Sequence, residues 1–411
     1  MTFACRELRI LWVLPYLPWP ISSGGKTRVY HLLRAMAQRG HRITLLAQPK
    51  TPPDAVARAA LEPWLERLVI LPRRPLRHPL TLGAAVFSSC PLLAAVNGFS
   101  SVARKTFDEL LEESWDIVHV DHSYSCQPYL QLLASRAQPW VLMEHNLESA
   151  LGGATYGQLP RVLAGFVRYD QWRYRRWERR VLGAADQVVA VTDDDARLLA
   201  QVTGQAVPVV VNAVDTEHFA RVTPDFGSQR ILFVGNFEYA PNLDAVEWAV
   251  REIMPRLWQR HPQARLRICG YALPQRWAAT FNDLRLEWSG FVPDLREVQG
   301  QAALFLAPLR QGGGSKLKVI EALAAGLAVV STRQGASGLA VRPGQELLLA
   351  DDAEGLAAAL ADLLAQPTRA AALGDAGRAY ARARHDWQTA ATQLESVYAD
   401  VLLHWERARC S

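Results

Sequence analysis

The chain has 411 residues, of which half are apolar and 21% charged, with a formal net charge of +5. That length exceeds one ordinary core and predicts two domains of roughly 200 residues each, while the composition excludes a disordered or fibrous protein. Residues 161–180 hold seven arginines against Asp170 and Glu178, so the rest of the chain is near neutral and general nucleic-acid affinity is not implied.

The first residues pair charges with a short apolar run that prolines interrupt at 15, 18 and 20, too short and too broken for a signal peptide or a membrane anchor. Short, β-branched apolar runs then predict strands at 9–15, 42–48, 67–72, 116–122, 140–146, 187–193 and 207–215. They recur at 230–237, 264–270, 284–290, 303–309, 327–335 and 347–352. Between the third and fourth runs, residues 79–103 carry no charge. Pro91, Asn97 and the serines argue for a buried or interfacial helical hairpin rather than a membrane span. Residues 161–180 read as an amphipathic helix, with Arg161, Arg168, Arg175 and Arg179 on one side and Val162, Phe166, Tyr174, Trp177 and Val181 on another. That basic side is either a solvated face or one attracted to an anionic membrane surface or a pyrophosphate-linked lipid. The acidic run at 192–195 predicts a helix cap at Thr192 or Asp193 rather than a metal site. Cys5, Cys90, Cys126, Cys269 and Cys410 show neither CxxC pairing nor zinc spacing, and free thiols in a reducing compartment are expected.

Continuous apolar strands alternating with helical patterns mean parallel sheets covered on both faces. The expected fold is therefore α/β, with two doubly wound Rossmann-like domains. The expected boundaries are an acceptor-side domain at 1–215, a linker at 216–229, a second domain at 230–385 and a final helix at 386–411 crossing back to the first. In open parallel sheets ligands bind beyond the carboxyl ends of the strands. This selects the loops after Pro15, His122, His145, Gly235, Pro308 and Thr332, which two facing domains would set across one cleft.

Lysine is rare: there are five, and three of them sit in two glycine-containing loops, "SSGGKTR" (22–28) and "GGGSKLK" (312–318). Each loop follows a strand and opens a helix. Bare glycines let backbone N–H groups approach a phosphate, and the helix N-terminus adds partial positive charge. Neither loop is a P-loop, and no GxGxxG follows the first strand. A plain turn at Gly24–Gly25 and a flexible linker at Gly312–Gly314 are the alternatives. Glu321, in the helix after Lys316, could accept hydrogen bonds from a sugar diol. Glu144, His145 and Asn146 end a buried strand in the first half, and His119, Asp121 and His122 are similar candidates of weaker standing.

These stretches resemble a known family. In the second half "ILFVGNFEYAPNLDAVEWAVREIMPRL", "GGGSKLKVIEALAAGLAVVSTRQGASGL" and "PGQELLLADD" resemble the retaining glycosyltransferases of family 4. In the first half "SGGKTRVYHLLRAMAQRGHRITLLA", "EHNLES", "VTDDDARLL" and "VVNAVDTEHF" agree. The resemblance covers nearly the whole chain, looks most like the bacterial surface- and exopolysaccharide subgroup, and implies the GT-B fold.

It further implies a hexosyltransferase that takes a nucleotide diphosphate-sugar without a metal or cofactor and retains the anomeric configuration. The partners implied are that donor and a glycan or polyprenyl-linked acceptor, with no nucleic acid. The implied location is the cytoplasm, at the inner face of the cell membrane. By similarity Glu321 binds the ribose. Gly312, Gly313, Gly314, Ser315 and Lys316 take the diphosphate and sugar, joined by Gly24, Gly25, Asn236, Lys318, Ser337 and Gly338, and His145 contacts the transferred sugar. Lys26, Arg28, Arg168, Arg175 and Arg179 are the candidate acceptor- or membrane-side cations. Two positions depart from the family: Gly313 stands where many members have the first carboxylate of a Glu-x7-Glu pair, and Asn236 where many have a phosphate-gripping arginine. Lys316 and Lys318 are expected to take over that charge. A nucleotide-sugar epimerase and a non-catalytic glycan-binding or scaffold protein on the same fold are the competing readings.

Overall fold

The computed structural model describes residues 6–75, 78–135, 138–147, 149, 164–312 and 316–410. The chain divides into two compact units, Met1–Val211 with Ala390–Ser411, and Asn212–Thr389.

In the first unit six parallel strands, β1 (Arg9–Leu14), β2 (Arg42–Ala47), β3 (Arg67–Ile70), β4 (Ile117–Asp121), β5 (Trp140–Met143) and β6 (Gln187–Val189), run in the order 3-2-1-4-5-6. The second repeats the pattern with β7 (Arg230–Val234), β8 (Arg265–Cys269), β9 (Leu286–Gly290), β10 (Leu304–Ala307), β11 (Ala328–Ser331) and β12 (Leu348–Leu349), in the order 12-11-10-7-8-9. The order reverses beside β1 in one sheet and beside β7 in the other, which opens a crevice at the carboxyl ends of those strands. The central strands are apolar throughout because helices cover both faces: β4, β5, β10 and β11 are buried at every residue.

The linker expected at 216–229 is a correction. Asp215 accepts from the His218 N–H and caps a helix at Thr216–Ala220. Phe219 and Val222 lie in the second unit's core with Leu232, Phe305 and Ile320. Burying such a side chain is worth about 2 kcal/mol, so this polar-looking stretch is integral to the second unit. The division falls at Val211/Asn212 and again at Thr389/Ala390. The strand expected at 207–215 shrinks to two isolated bridges, Ala190 with Val209 and Val214 with Asp386. Pro208 has no N–H to give a ladder, and the next backbone groups are taken by side chains. Arg28 donates to the Val210 and Val211 carbonyls, both at 2.7 Å, and Gln393 Oε1 accepts from the Val211 N–H at 2.9 Å.

The last helix, Trp387–Cys410, spans the second division and buries Leu394, Tyr398 and Val401. The uncharged segment forms two short helices, Pro79–Phe87 and Leu92–Asn97. The second buries Ala94, Ala95 and Val96, whereas Leu80, Leu82, Val86 and Phe87 of the first are exposed. Among the described residues no helix is long and apolar enough to cross a membrane. The acidic run behaves as expected: Thr192 Oγ1 accepts from the Asp195 N–H and caps the helix Asp193–Thr203. Cys90, Cys126 and Cys269 are buried free thiols.

Candidate functional site

In the first unit the parallel register sets the geometry. Asp121, the last residue of β4, lies beside Met143 at the end of β5, and His145 follows two residues later. His145 Nε2 is 2.9 Å from Asp121 Oδ1, and Trp12 Nε1 donates to Asp121 Oδ2 at 2.5 Å. His119 Nε2 lies 3.4 Å from the same Oδ2, while its Nδ1 is 2.7 Å from the Tyr398 hydroxyl. Burial by itself would raise the Asp121 pKa. The interactions with His119 and His145 outweigh it and hold the carboxyl well below the usual range. Asp121 is thus a buried carboxylate bonded to Trp12 and His145, with His119 Nε2 3.4 Å away.

The same crevice holds the first glycine loop. Gly24 and Gly25 open the helix Gly24–Gln38, and a Cβ on Gly25 would lie 3.2 Å from the Tyr16 hydroxyl and 3.6 Å from His145 Nδ1. The His122 ring sits 4.3 Å from that of His145, centre to centre, with Nε2 3.2 Å from the Tyr16 hydroxyl. Burial, then the neighbouring His145, brings the His122 pKa down to about 3; burial also lowers that of His145, against the pull of Asp121. Both rings are therefore neutral at pH 7.

Arg28 was expected on an acceptor or membrane face, and this is corrected. It is 1% exposed, and its guanidinium is spent on the Val210 and Val211 carbonyls. Burial lowers its pKa to about 10, so it remains a cation at pH 7. A buried ion is tolerated only when its donors are satisfied, and a structural tie is what this one provides. Lys26 is partly buried, and burial, then Lys50, lowers its pKa. Arg168, Arg175 and Arg179 are exposed on the helix Ala164–Leu182, while Tyr174, Trp177 and Val181 are buried on its other side. Arg161 and Val162 lie outside the described residues.

In the second unit the loop after β10 opens the helix Leu317–Ala324. Gly313, Gly314 and Ser315 lie outside the described residues. At the loop's start Gly312 has φ +114°, and a Cβ there would stand 2.7 Å from the Tyr239 hydroxyl. Its carbonyl accepts from Lys316 Nζ at 2.9 Å and from Gln334 Nε2 at 2.5 Å. Lys316 is buried at the helix N-cap. Gly312→Ala is expected to cost roughly 1–3 kcal/mol, for the left-handed backbone and the crowding together. Urea unfolding checks this, and an unchanged midpoint would mean the loop absorbs the methyl.

Lys318, expected to help neutralise a phosphate, is engaged within its own unit. Its ammonium donates to Asn242 Oδ1 at 2.5 Å and lies 4.7 Å from the centre of the Phe233 ring. Asn242 Nδ2 in turn donates to the Asn236 carbonyl at 2.7 Å, so Lys318 braces the loop after β7 from below. The Asn236 side chain itself accepts from the Glu238 N–H. Glu321 has no hydrogen-bond partner among the described residues. Burial raises its pKa to about 7, against the opposing charge of Lys318, and burial lowers that of Lys318 to about 7. Ser337 Oγ donates to the Gln334 carbonyl, and Gly338 has φ +78°.

Two family models match in chain order: Glycosyltransferase Family 4 over residues 22–218, and Glycosyl transferases group 1 over 228–366. The chain belongs to glycosyltransferase family 4. Glycogen synthase from Mycobacterium tuberculosis is 27% identical over 413 residues, covering 96% of this chain and 94% of its own. The phosphatidyl-myo-inositol mannosyltransferase of Mycolicibacterium smegmatis is 25% identical over 409 residues, with the same two coverages. Anabaena Alr3699/HepE, solved in complex with UDP and glucose, superposes with a TM-score of 0.66 at 15% identity over 96% of this chain and 100% of its own. The two six-stranded parallel sheets with their helices are those of the GT-B fold. As a family 4 glycosyltransferase the chain is a transferase, and the resemblance read from the sequence holds at that level.

Several residues of this glycosyltransferase escaped the sequence reading. Tyr16, Trp12 and Tyr398 have no motif; they converge on the His145 crevice only through strand order and the final helix. Tyr239 and Gln334 shape the Gly312 loop from two other strand ends, and Asn242 ties Lys318 to the loop after β7. "YAPN" and "RQG" were visible as turn-rich stretches after strands, which is the one signal that could have found them.

Proposed function

We propose that the chain is a retaining, metal-independent glycosyltransferase that moves a sugar from a nucleotide diphosphate-sugar to a glycan or lipid-linked glycan in surface polysaccharide synthesis. The observation that carries this reading is Glu321: a half-buried carboxyl without a hydrogen-bond partner among the described residues, on a helix whose N-cap is the buried cation Lys316. The helix N-terminus and the ammonium supply countercharge for a diphosphate, and the carboxyl further along supplies an acceptor pair for the ribose hydroxyls. In this reading the 312–316 loop holds the diphosphate and sugar with Lys316 as its cation, so no metal ion is required. Ser337 and Gly338 are further donor contacts in the second unit. In the first, Gly24 and Gly25 lie against the diphosphate and His145 against the transferred sugar. The departing phosphate takes the acceptor's proton.

A lipid-linked acceptor is favoured by one surface feature. The exposed apolar side chains of Pro79–Phe87, and the exposed arginines of Ala164–Leu182 with its stacked Tyr169 and Trp172, are the chemistry of a membrane interface. The mannosyltransferase relative, named for phosphatidyl-myo-inositol, agrees with such an acceptor.

Thermal shift with UDP, GDP and ADP is expected to single out one base, with about 2.7 kcal/mol of added stability at a hundredfold excess over Kd. The matching sugar nucleotides, with EDTA and a polyprenyl-linked glycan, should then give a product of retained configuration by proton NMR. Sugar conversion without acceptor would instead make the chain an epimerase, and binding of none of the three would remove the donor site.

A further inference from the structure

The His145 crevice contains more order than a sugar contact requires. His145 Nε2 faces the Asp121 carboxylate at 2.9 Å, and a carboxylate can only accept. The proton of the neutral ring is therefore on Nε2, which leaves Nδ1 as a lone pair with no partner among the described residues. That lone pair is turned to the Gly25 turn, where a Cβ would sit 3.6 Å away. Behind Asp121 the polar contacts continue. The Tyr398 hydroxyl, kept protonated by burial, is hydrogen-bonded to His119 Nδ1 at 2.7 Å, and His119 Nε2 lies 3.4 Å from Asp121 Oδ2. Trp12 donates to the same oxygen and stacks on His119 with ring centres 4.0 Å apart.

We propose that Asp121 is a positioning residue, backed by His119 and Tyr398, that fixes His145 in the Nε2–H tautomer so that its Nδ1 accepts a hydrogen bond from a hydroxyl of the bound sugar. The tautomer of a histidine is set by the bond its other nitrogen makes. An acceptor at this position selects a hydroxyl, which has a proton to give. The Tyr16 hydroxyl, 3.2 Å from the same Gly25 Cβ position, completes a small cradle with both donor and acceptor capacity. The inference also gives the last helix a role: it delivers Tyr398 to a network that starts 279 residues earlier, at His119. It rests on the proposed sugar contact of His145 for its purpose, but not for its geometry.

The test uses the full chain labelled with 15N-histidine, with His145→Ala to assign the ring. Two-bond 15N–1H correlations should show His145 as the Nε2–H tautomer near pH 7. In Asp121→Asn the Nδ1–H form should appear, and kcat should fall roughly 10–100-fold. The Kd for the nucleoside diphosphate alone should stay within about twofold, because Asp121 acts through the sugar contact. If Asp121→Asn does not fold, Tyr398→Phe serves: the His119 ring loses its hydroxyl partner, and the His145 Nδ1 resonance should move toward the protonated form. A wild-type Nδ1–H tautomer, or a His145 pattern unchanged in the folded variants, overturns the proposal. Absence of nucleotide binding to the wild type would instead sink the donor-site reading and leave the tautomer result standing.

Discussion

Lys316→Ala is expected to lower kcat by roughly 10²–10³ while changing donor affinity much less. In the resting protein the ammonium is buried and held on the Gly312 carbonyl at 2.9 Å, at the N-cap of Leu317–Ala324. Charge on a departing diphosphate grows as the glycosidic bond breaks, so a cation fixed beforehand at the helix start stabilises the transition state more than the bound donor. The Gly312 carbonyl keeps its second donor, Gln334 Nε2, in the variant. The loop should therefore hold, and the defect should be chemical rather than structural. Steady-state kinetics at saturating donor, read beside a melting curve, separates the two. Activity within a few-fold of the parent, with the fold intact, would show that the leaving group draws its countercharge from elsewhere. Lys318→Ala is the informative contrast: its ammonium is engaged by Asn242, so its loss should loosen the loop after β7 and weaken donor binding instead.

The fold was legible because each central strand is buried on both sides, which writes an unbroken apolar run into the sequence at 10–15 or 303–307. The loops at their carboxyl ends were legible for the same reason, once the parallel arrangement was fixed. What the sequence hid was the work of polar side chains inside the fold. Arg28 reads as a surface cation in "GGKTR", yet it replaces a missing strand partner for Val210 and Val211. Lys318 reads as a phosphate ligand two residues from Lys316. A helix turns 100° per residue, however, so the two point apart, and Lys318 meets Asn242. Asp121 and Tyr398 are joined only through His119, and no local pattern reports a contact between β4 and the last helix. The short helix at Thr216–Ala220 reads as linker in the sequence because five residues carry too little periodicity to register, although Asp215, three residues before His218, is its cap.

Glu321→Gln is expected to move stability and donor binding in opposite directions, and pH decides by how much. Burial raises the folded-state pKa of this carboxyl to about 7, above the unfolded value near 4.5. Between those two pH values the unfolded chain gives up its proton first, so the carboxyl progressively destabilises the fold as pH rises, with the penalty fully developed above about 7. Glutamine carries no such penalty. Because the group is half-open to solvent, the gain at pH 8 relative to pH 5 should be on the order of 1–2 kcal/mol, less than the shift alone would give. Donor binding should show the reverse. An amide offers one acceptor oxygen where the carboxylate offers two, and a ribose diol needs both, so the Kd of the variant should rise about tenfold or more at pH 8. In the parent, donor affinity should weaken as pH falls through about 7, because the ligand must first displace the Glu321 proton. The variant should lose that pH dependence. Urea unfolding and nucleotide titration at pH 5 and pH 8 measure both halves on the same two proteins. A variant that gains stability at pH 8 yet binds the donor as the parent does would leave Glu321 strained for some purpose other than the ribose.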